Sequence, residues 1–210
     1  MKIAVIGANG KAGSRILEEA ASRGHEVTAF VRDASKAPSR ASAVVVKDVL
    51  DLKAADVAGY DVVVSAYGVF DNVDLHADVT NVLIDALKKG TDARLIMVGG
   101  AGSLFVDPEK TQRVVDTPDF PEMFKPLARA QGKALSILEA SNGVKWTFLS
   151  PSAEIALGKR TGSYLKGKDH LLVNSQGKSY VSYEDYAVAV VDEIENPQHV
   201  NERFTVASES

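Results

Sequence analysis

Apolar residues along this chain fall into short runs that alternate with stretches of helical period. Runs such as "DVVVSA" and "RLIMVG" show no in–out alternation, which suits strands buried on both faces. The pattern predicts strands at Lys2–Ile6, Glu26–Val31, Ala43–Lys47, Asp61–Ser65, Arg94–Val98 and Lys145–Leu149. Helices are predicted between them at Ala12–Arg23, Leu75–Lys89 and Leu127–Ser141, with Gly24, Gly90 and Gly143 as stop signals. A helix at Tyr183–Glu195 and a strand at Arg203–Ala207 follow. Strand–helix alternation of this kind predicts an α/β fold with a doubly wound, mostly parallel sheet.

Two regions break the alternation. Ser103–Pro126, "SLFVDPEKTQRVVDTPDFPEMFKP", has no clear period and is rich in proline and aromatics. An excursion this long in a compact domain usually serves function. Its Phe105, Phe120, Met123 and Phe124 suit a semi-rigid apolar lid. Later, "LGKRTGSYLKGKDHLLVNSQGKSYVSYEDY" separates short strand-like pieces with turn signals. The expectation is one domain over residues 1–210, with residues 151–182 forming a small cap on the carboxyl edge of the sheet.

The segment "VIGANGKAGSRIL" spaces Gly7, Gly10 and Gly13 by three, between a predicted strand and a predicted helix. In that context glycines serve a tight turn, a close approach to a pyrophosphate and close helix packing. The helix N-terminus then faces the phosphate charge. The spacing is GxxGxxG, which departs from GxGxxG. It points to a Rossmann-like dinucleotide site, a merely structural turn being the alternative. An acidic residue after the second strand would bind the adenosine ribose; here stands Arg32, whose guanidinium fork matches a 2′-phosphate. NADP is therefore the expected cofactor, with the adjacent Asp33 leaving NAD possible.

Composition narrows the classes further. A net charge of −4 with scattered basic residues argues against a nucleic-acid partner. Without cysteine there is no disulfide or thiolate nucleophile, and four histidines show no ligand spacing, so no metal is expected. The opening apolar run is too short for a signal peptide or a membrane span, giving an expected cytoplasmic location and a small-molecule substrate. Oligomeric state is not legible.

"GANGKAGSRI", "VTAFVRD", "VVVKDVLD", "LSPSA", "RTGSY" and "SYEDYAVAVVDEIENPQHVNERFTVA" resemble the atypical short-chain dehydrogenase/reductases. More narrowly, the chain resembles the branch provisionally named NADH-flavin reductases, with biliverdin reductase B and NmrA-like proteins as relatives. The resemblance runs nearly end to end. It implies that Gly7, Asn9, Gly10, Lys11, Ala12 and Gly13 hold the pyrophosphate, and that Asp48 and Val49 meet the adenine edge. It also implies Ala66, Tyr67 and Gly68 along the cofactor backbone, and Gly99, Gly100, Ser150 and Pro151 at the nicotinamide, with Lys133 on its ribose. These relatives include both reductases and cofactor-sensing regulators.

Members acting on alcohols and ketones use a Tyr and a Lys four residues apart on one helix face, the Lys lowering the phenol pKa. Here Arg129 stands four residues before Lys133, and arginine is no general acid near neutrality. Carbonyl reduction is thus disfavoured. Hydride transfer to a flavin needs orientation more than a side-chain acid. The expected activity is an NAD(P)H-dependent reductase acting on a flavin, taken as substrate rather than tightly bound, or on a similar flat acceptor. A non-catalytic NADP(H) redox sensor is the alternative.

Overall fold

The computed structural model describes residues 1–89 and 91–209, so the stop signal expected at Gly90 lies outside the described residues. In chain order the strands are β1 (Lys2–Ile6), β2 (Glu26–Val31), β3 (Ala43–Val46), β4 (Val62–Ser65), β5 (Arg94–Val98), β6 (Trp146–Ser150), β7 (Glu154–Ala156), β8 (Tyr164–Gly167), β9 (Tyr180–Ser182) and β10 (Glu202–Ser208). Eight of them form one sheet in the order β3-β2-β1-β4-β5-β6-β10-β8, parallel except for β8. Strand β1 pairs with β2 on one side and β4 on the other, Val5 facing both Ala29 and Val64. The chain order reverses between these neighbours. Such a switch point opens a crevice at the carboxyl ends of the strands.

The helices are α1 (Lys11–Ser22), α2 (Ala54–Val57), α3 (Leu75–Lys88), α4 (Lys125–Glu139) and α5 (Tyr183–Glu195). Side chains alternate across the sheet, so each strand supplies two cores. On one face Ile16 and Leu17 of α1 and Val190, Val191 and Ile194 of α5 pack on Ile3, Val5, Val27 and Ala29. On the other, Leu83 and Leu87 of α3 and Leu135 and Leu138 of α4 pack on Ala4, Ile6, Val63, Leu95 and Phe148. Each fully buried aliphatic contributes about 1.5–3 kcal/mol. The two-sided burial explains why the central strands lack polar alternation.

Both irregular regions are tied down. Within the 103–126 excursion, Phe105 donates its N–H to the Asp169 carbonyl at 2.8 Å and accepts from the Leu171 N–H at 2.9 Å. The Asp107 carboxylate accepts from the Thr111 and Gln112 N–H groups, closing a turn. Phe105 thus lies under the Arg113 and Lys110 cations rather than on a free lid, while Met123 and Phe124 stay exposed. The 151–182 stretch is divided: β8 extends the main sheet beside β10, and β7 pairs with β9 in a separate two-stranded sheet. Asp185, fully buried, accepts from the N–H groups of Thr161 and Gly162 and the hydroxyl of Ser208, pinning the intervening loop.

Candidate functional site

Strand β1 ends at Ile6, and the chain turns at Gly7 with φ +73°, a conformation that favours glycine. A Cβ on Gly7 would lie 2.7 Å from the Ala66 carbonyl oxygen, and one on Gly13 would strike the Gly7 carbonyl. Both obstacles are backbone and cannot give way. Gly10 differs: its Cβ would meet the Gly7 carbonyl oxygen at 3.3 Å and nothing else within 4 Å. That contact is tight, and the remaining space beside Gly10 is open. Gly10 also caps α1 without any side-chain hydrogen bond, and the first turn holds no acidic residue. The leading amides, from Lys11, Ala12 and Gly13, therefore lack a side-chain acceptor, which leaves a cradle for an anion beside Asn9.

At the end of β2, Arg32 is exposed and forms no hydrogen bond or ion pair among the described residues. Asp33 is engaged at one oxygen, Oδ1. Its carboxylate accepts from the Ser35 N–H at 3.0 Å and the Ser35 hydroxyl at 2.7 Å, which hold it below the usual carboxylate range. Asp48 caps the turn Val49–Asp51, accepting from the Leu50 N–H at 2.9 Å, while Val49 is buried behind it. Burial pushes the Tyr67 phenol above its ordinary value; Asp48 and Asp78 add to that, and Arg32 opposes it. Arg32, Asp48 and Tyr67 thus border one region. The Ala66 N–H donates to the Ile6 carbonyl, and a Cβ on Gly68 would meet nothing within 4 Å.

The carboxyl ends of β5 and β6 form the other wall. A Cβ on Gly99 would strike the Phe148 ring, and one on Gly100 would strike the Gln131 side-chain oxygen. Ser150 is buried with no partner for its hydroxyl among the described residues, and Pro151 is buried beside it. Between Gln131, Phe148, Tyr67 and Thr80 lies a cavity of about 10 Å³, which His76 also lines. His76 is buried, with Nε2 3.3 Å from the Val69 carbonyl and its ring edge-on to Tyr67 at 5.5 Å. Burial lowers its pKa, so the neutral ring braces the loop after β4.

Lys133 does not share this wall. It is exposed and lines a separate groove with Arg129, while Gln131, two residues earlier, reaches Gly100. The phenol near the strand ends belongs to Tyr67, after β4, and α4 offers Arg129 at the position four before Lys133. Gln131, His76 and Thr80 escape reading from sequence because none sits in a glycine motif. A polar residue among the buried positions of a helix was the available signal for each. Arg160, in the turn before β8, is bound by Glu19 of α1 at 2.7 and 2.8 Å. Among the described residues no three potential metal ligands cluster, and no helix is long and apolar enough to cross a membrane.

This turn-and-crevice geometry defines a nicotinamide-dinucleotide-binding protein. The chain belongs to the family described as NAD(P)H-binding, which it matches over residues 7–197. It is 53% identical to the uncharacterized protein YwnB of Bacillus subtilis over 212 residues, covering 100% of both chains. Among solved structures it is similar to a Streptococcus pneumoniae protein provisionally named an NADH-flavin reductase, with TM-score 0.94, 44% identity and 99% of each chain covered. It is also similar to a Bacteroides thetaiotaomicron protein provisionally named an epimerase, with TM-score 0.88, 39% identity, and 100% and 97% of the chains covered.

Proposed function

We propose that this protein is a reductase that prefers NADPH and passes hydride to a flavin or a similar flat, conjugated acceptor. The observation that carries the cofactor choice is the free Arg32 guanidinium beside an Asp33 whose Oδ1 is already engaged by Ser35. Only Oδ2, 3.8 Å from the Lys36 ammonium, is left to meet the ribose hydroxyls, whereas the guanidinium can clamp a 2′-phosphate. On this reading the turn from Gly7 to Gly13 holds the pyrophosphate, with the amides of Lys11, Ala12 and Gly13 as donors. Asp48 and Val49 flank the adenine, and Ala66, Tyr67 and Gly68 run along the cofactor.

When bound, the nicotinamide supplies the hydride. The chain's own part is to place the ring against Gly99, Gly100 and Pro151, where a side chain would be obstructive. The buried Ser150 hydroxyl and the Gln131 amide stand nearby as hydrogen-bonding groups without charge. Because α4 offers Arg129 in place of a phenol, this reading favours an acceptor that needs no side-chain acid from α4 at the reacting atom. The name of the Streptococcus relative agrees with a flavin. The test is NADPH oxidation followed with and without FMN, and with simple ketones. Flavin should accelerate it and ketones should not. Tight NADPH binding with no turnover on flavins or quinones would replace this reading with a redox sensor.

A further inference from the structure

A groove of about 200 Å³ runs between the excursion after β5 and α4, lined by Ser103, Arg113, Asp116, Arg129, Lys133 and Ser136 among others. Three of its side chains are cations and one is an anion, so the lining carries a net charge of +2 in a chain whose total is −4. Nearby cations are matched: Lys110 and Arg203 both pair with Asp169, at 2.7 and 3.0 Å. Arg113, Arg129 and Lys133 form no ion pair among the described residues. Arg113 lies 5.5 Å over the Phe105 ring, a contact that leaves its N–H edge free. Unmatched like charges facing one concavity repel each other, and an anion between them relieves that repulsion.

The position of the groove says which anion. Gly102 and Ser103 of its wall follow Gly100 by two and three residues, and Gly132 follows Gln131 directly. The groove therefore adjoins, along the segment after β5 and along α4, the wall assigned above to the nicotinamide, while its side chains line their own concavity. Pockets that enclose whole ligands begin at about 300 Å³, so a groove of this size suits an appendage rather than a ring system. We propose that it is a subsite for the anionic arm, phosphate or carboxylate, of the acceptor. The inference rests on the reductase reading and sharpens it: the acceptor is a flat conjugated compound carrying a negative side chain.

The probes are FMN and riboflavin, which share a ring and differ in one phosphate. Their affinities are measured by quenching of flavin fluorescence, with the protein saturated with NADP⁺, for the parent, Arg113→Gln and Arg129→Gln. The parent should bind FMN about tenfold more tightly than riboflavin, and each substitution should weaken FMN about three- to fivefold while sparing riboflavin. Added salt should erode the same difference. Equal affinity for the two flavins in the parent, or substitutions that weaken both alike, would overturn the subsite and leave the flavin reading standing. If neither flavin binds, the flavin reading falls, and inorganic phosphate decides the groove. With NADP⁺ still saturating, phosphate should then raise the melting temperature of the parent more than that of Arg129→Gln, and equal shifts would overturn the site.

Discussion

The two walls of the crevice are made of different material. Around β1 the wall is backbone: Lys11, Ala12 and Gly13 contribute N–H groups, and Gly7, Gly10 and Gly13 an absence of side chains. Across the crevice, the wall after β5 and β6 is side chain: Gln131 from α4, Phe148 and Ser150 from β6, with Arg129 and Arg113 lining the neighbouring groove. A backbone wall is specified by a local run of residues and admits few substitutions. A side-chain wall is assembled from distant segments, and each member can change without disturbing the turn beside it. On the proposed reading, cofactor recognition is thus the fixed part of this molecule, and acceptor recognition the adjustable part.

The sharpest way to break that contrast is within the glycine turn itself. Gly10→Val should fold, because its Cβ meets only the Gly7 carbonyl oxygen at 3.3 Å and needs a shift of a few tenths of an ångström, yet lose NADPH affinity by at least about a hundredfold. Gly13→Ala drives a Cβ into the Gly7 carbonyl and should lower the melting temperature by about 3–10 °C. Circular dichroism melts and cofactor titrations separate the two outcomes; retained tight binding in Gly10→Val would show that the turn is merely structural. Next in size is Arg32→Asp, which should reverse a preference for NADPH over NADH of about ten- to a hundredfold. Equal dissociation constants for the two cofactors in the parent would remove the case for a 2′-phosphate clamp.

The smallest effect concerns pH. Burial lowers the pKa of His76 below its unfolded value, so folding disfavours the proton there. The contribution is complete above about pH 6.5 and declines as pH falls from that value toward the depressed folded pKa. Glu19 and Asp169, whose pKa values are also lowered by their arginine and lysine partners, should lose their contributions only at more acid pH, below about 4.5. Melting curves of the parent and His76→Gln between pH 5 and 7.5 should therefore diverge most at the upper end. Parallel curves would show that the ring does not titrate on unfolding.

Much of the fold is legible because it is repetitive and local. β1, β2 and β5 match the bounds expected from apolar runs, and α5 spans Tyr183–Glu195 as its period implies. Other ends move by a residue or two, as for α4, which begins at Lys125 rather than Leu127. What escapes is what depends on distant partners. β8 is a strand only because β10, about forty residues later, supplies its hydrogen bonds. Phe105 reads as a lid aromatic until His170 and Asp169 are seen to hold its backbone. Gln131 and Lys133 share a turn of α4 yet face different ground, Gln131 meeting Gly100 and Lys133 lining the groove with Arg129, a helical phase that no motif displays.

The place of β10 in the sheet has a consequence for how the chain is made. It lies between β6 and β8, and it emerges from the ribosome after every other strand. The five-stranded β3-β2-β1-β4-β5 platform with its glycine turn can assemble while synthesis continues, whereas the exposed flank of β6 must wait for residues 202–208. At about 5–20 residues per second, the fifty-one residues between β6 and β10 correspond to several seconds of unpaired edge. During that interval the nascent protein offers a sticky hydrogen-bonding border to its neighbours. A ribosome stall shortly before Glu202 should thus favour aggregation, while dinucleotide present during translation would already find its turn in place.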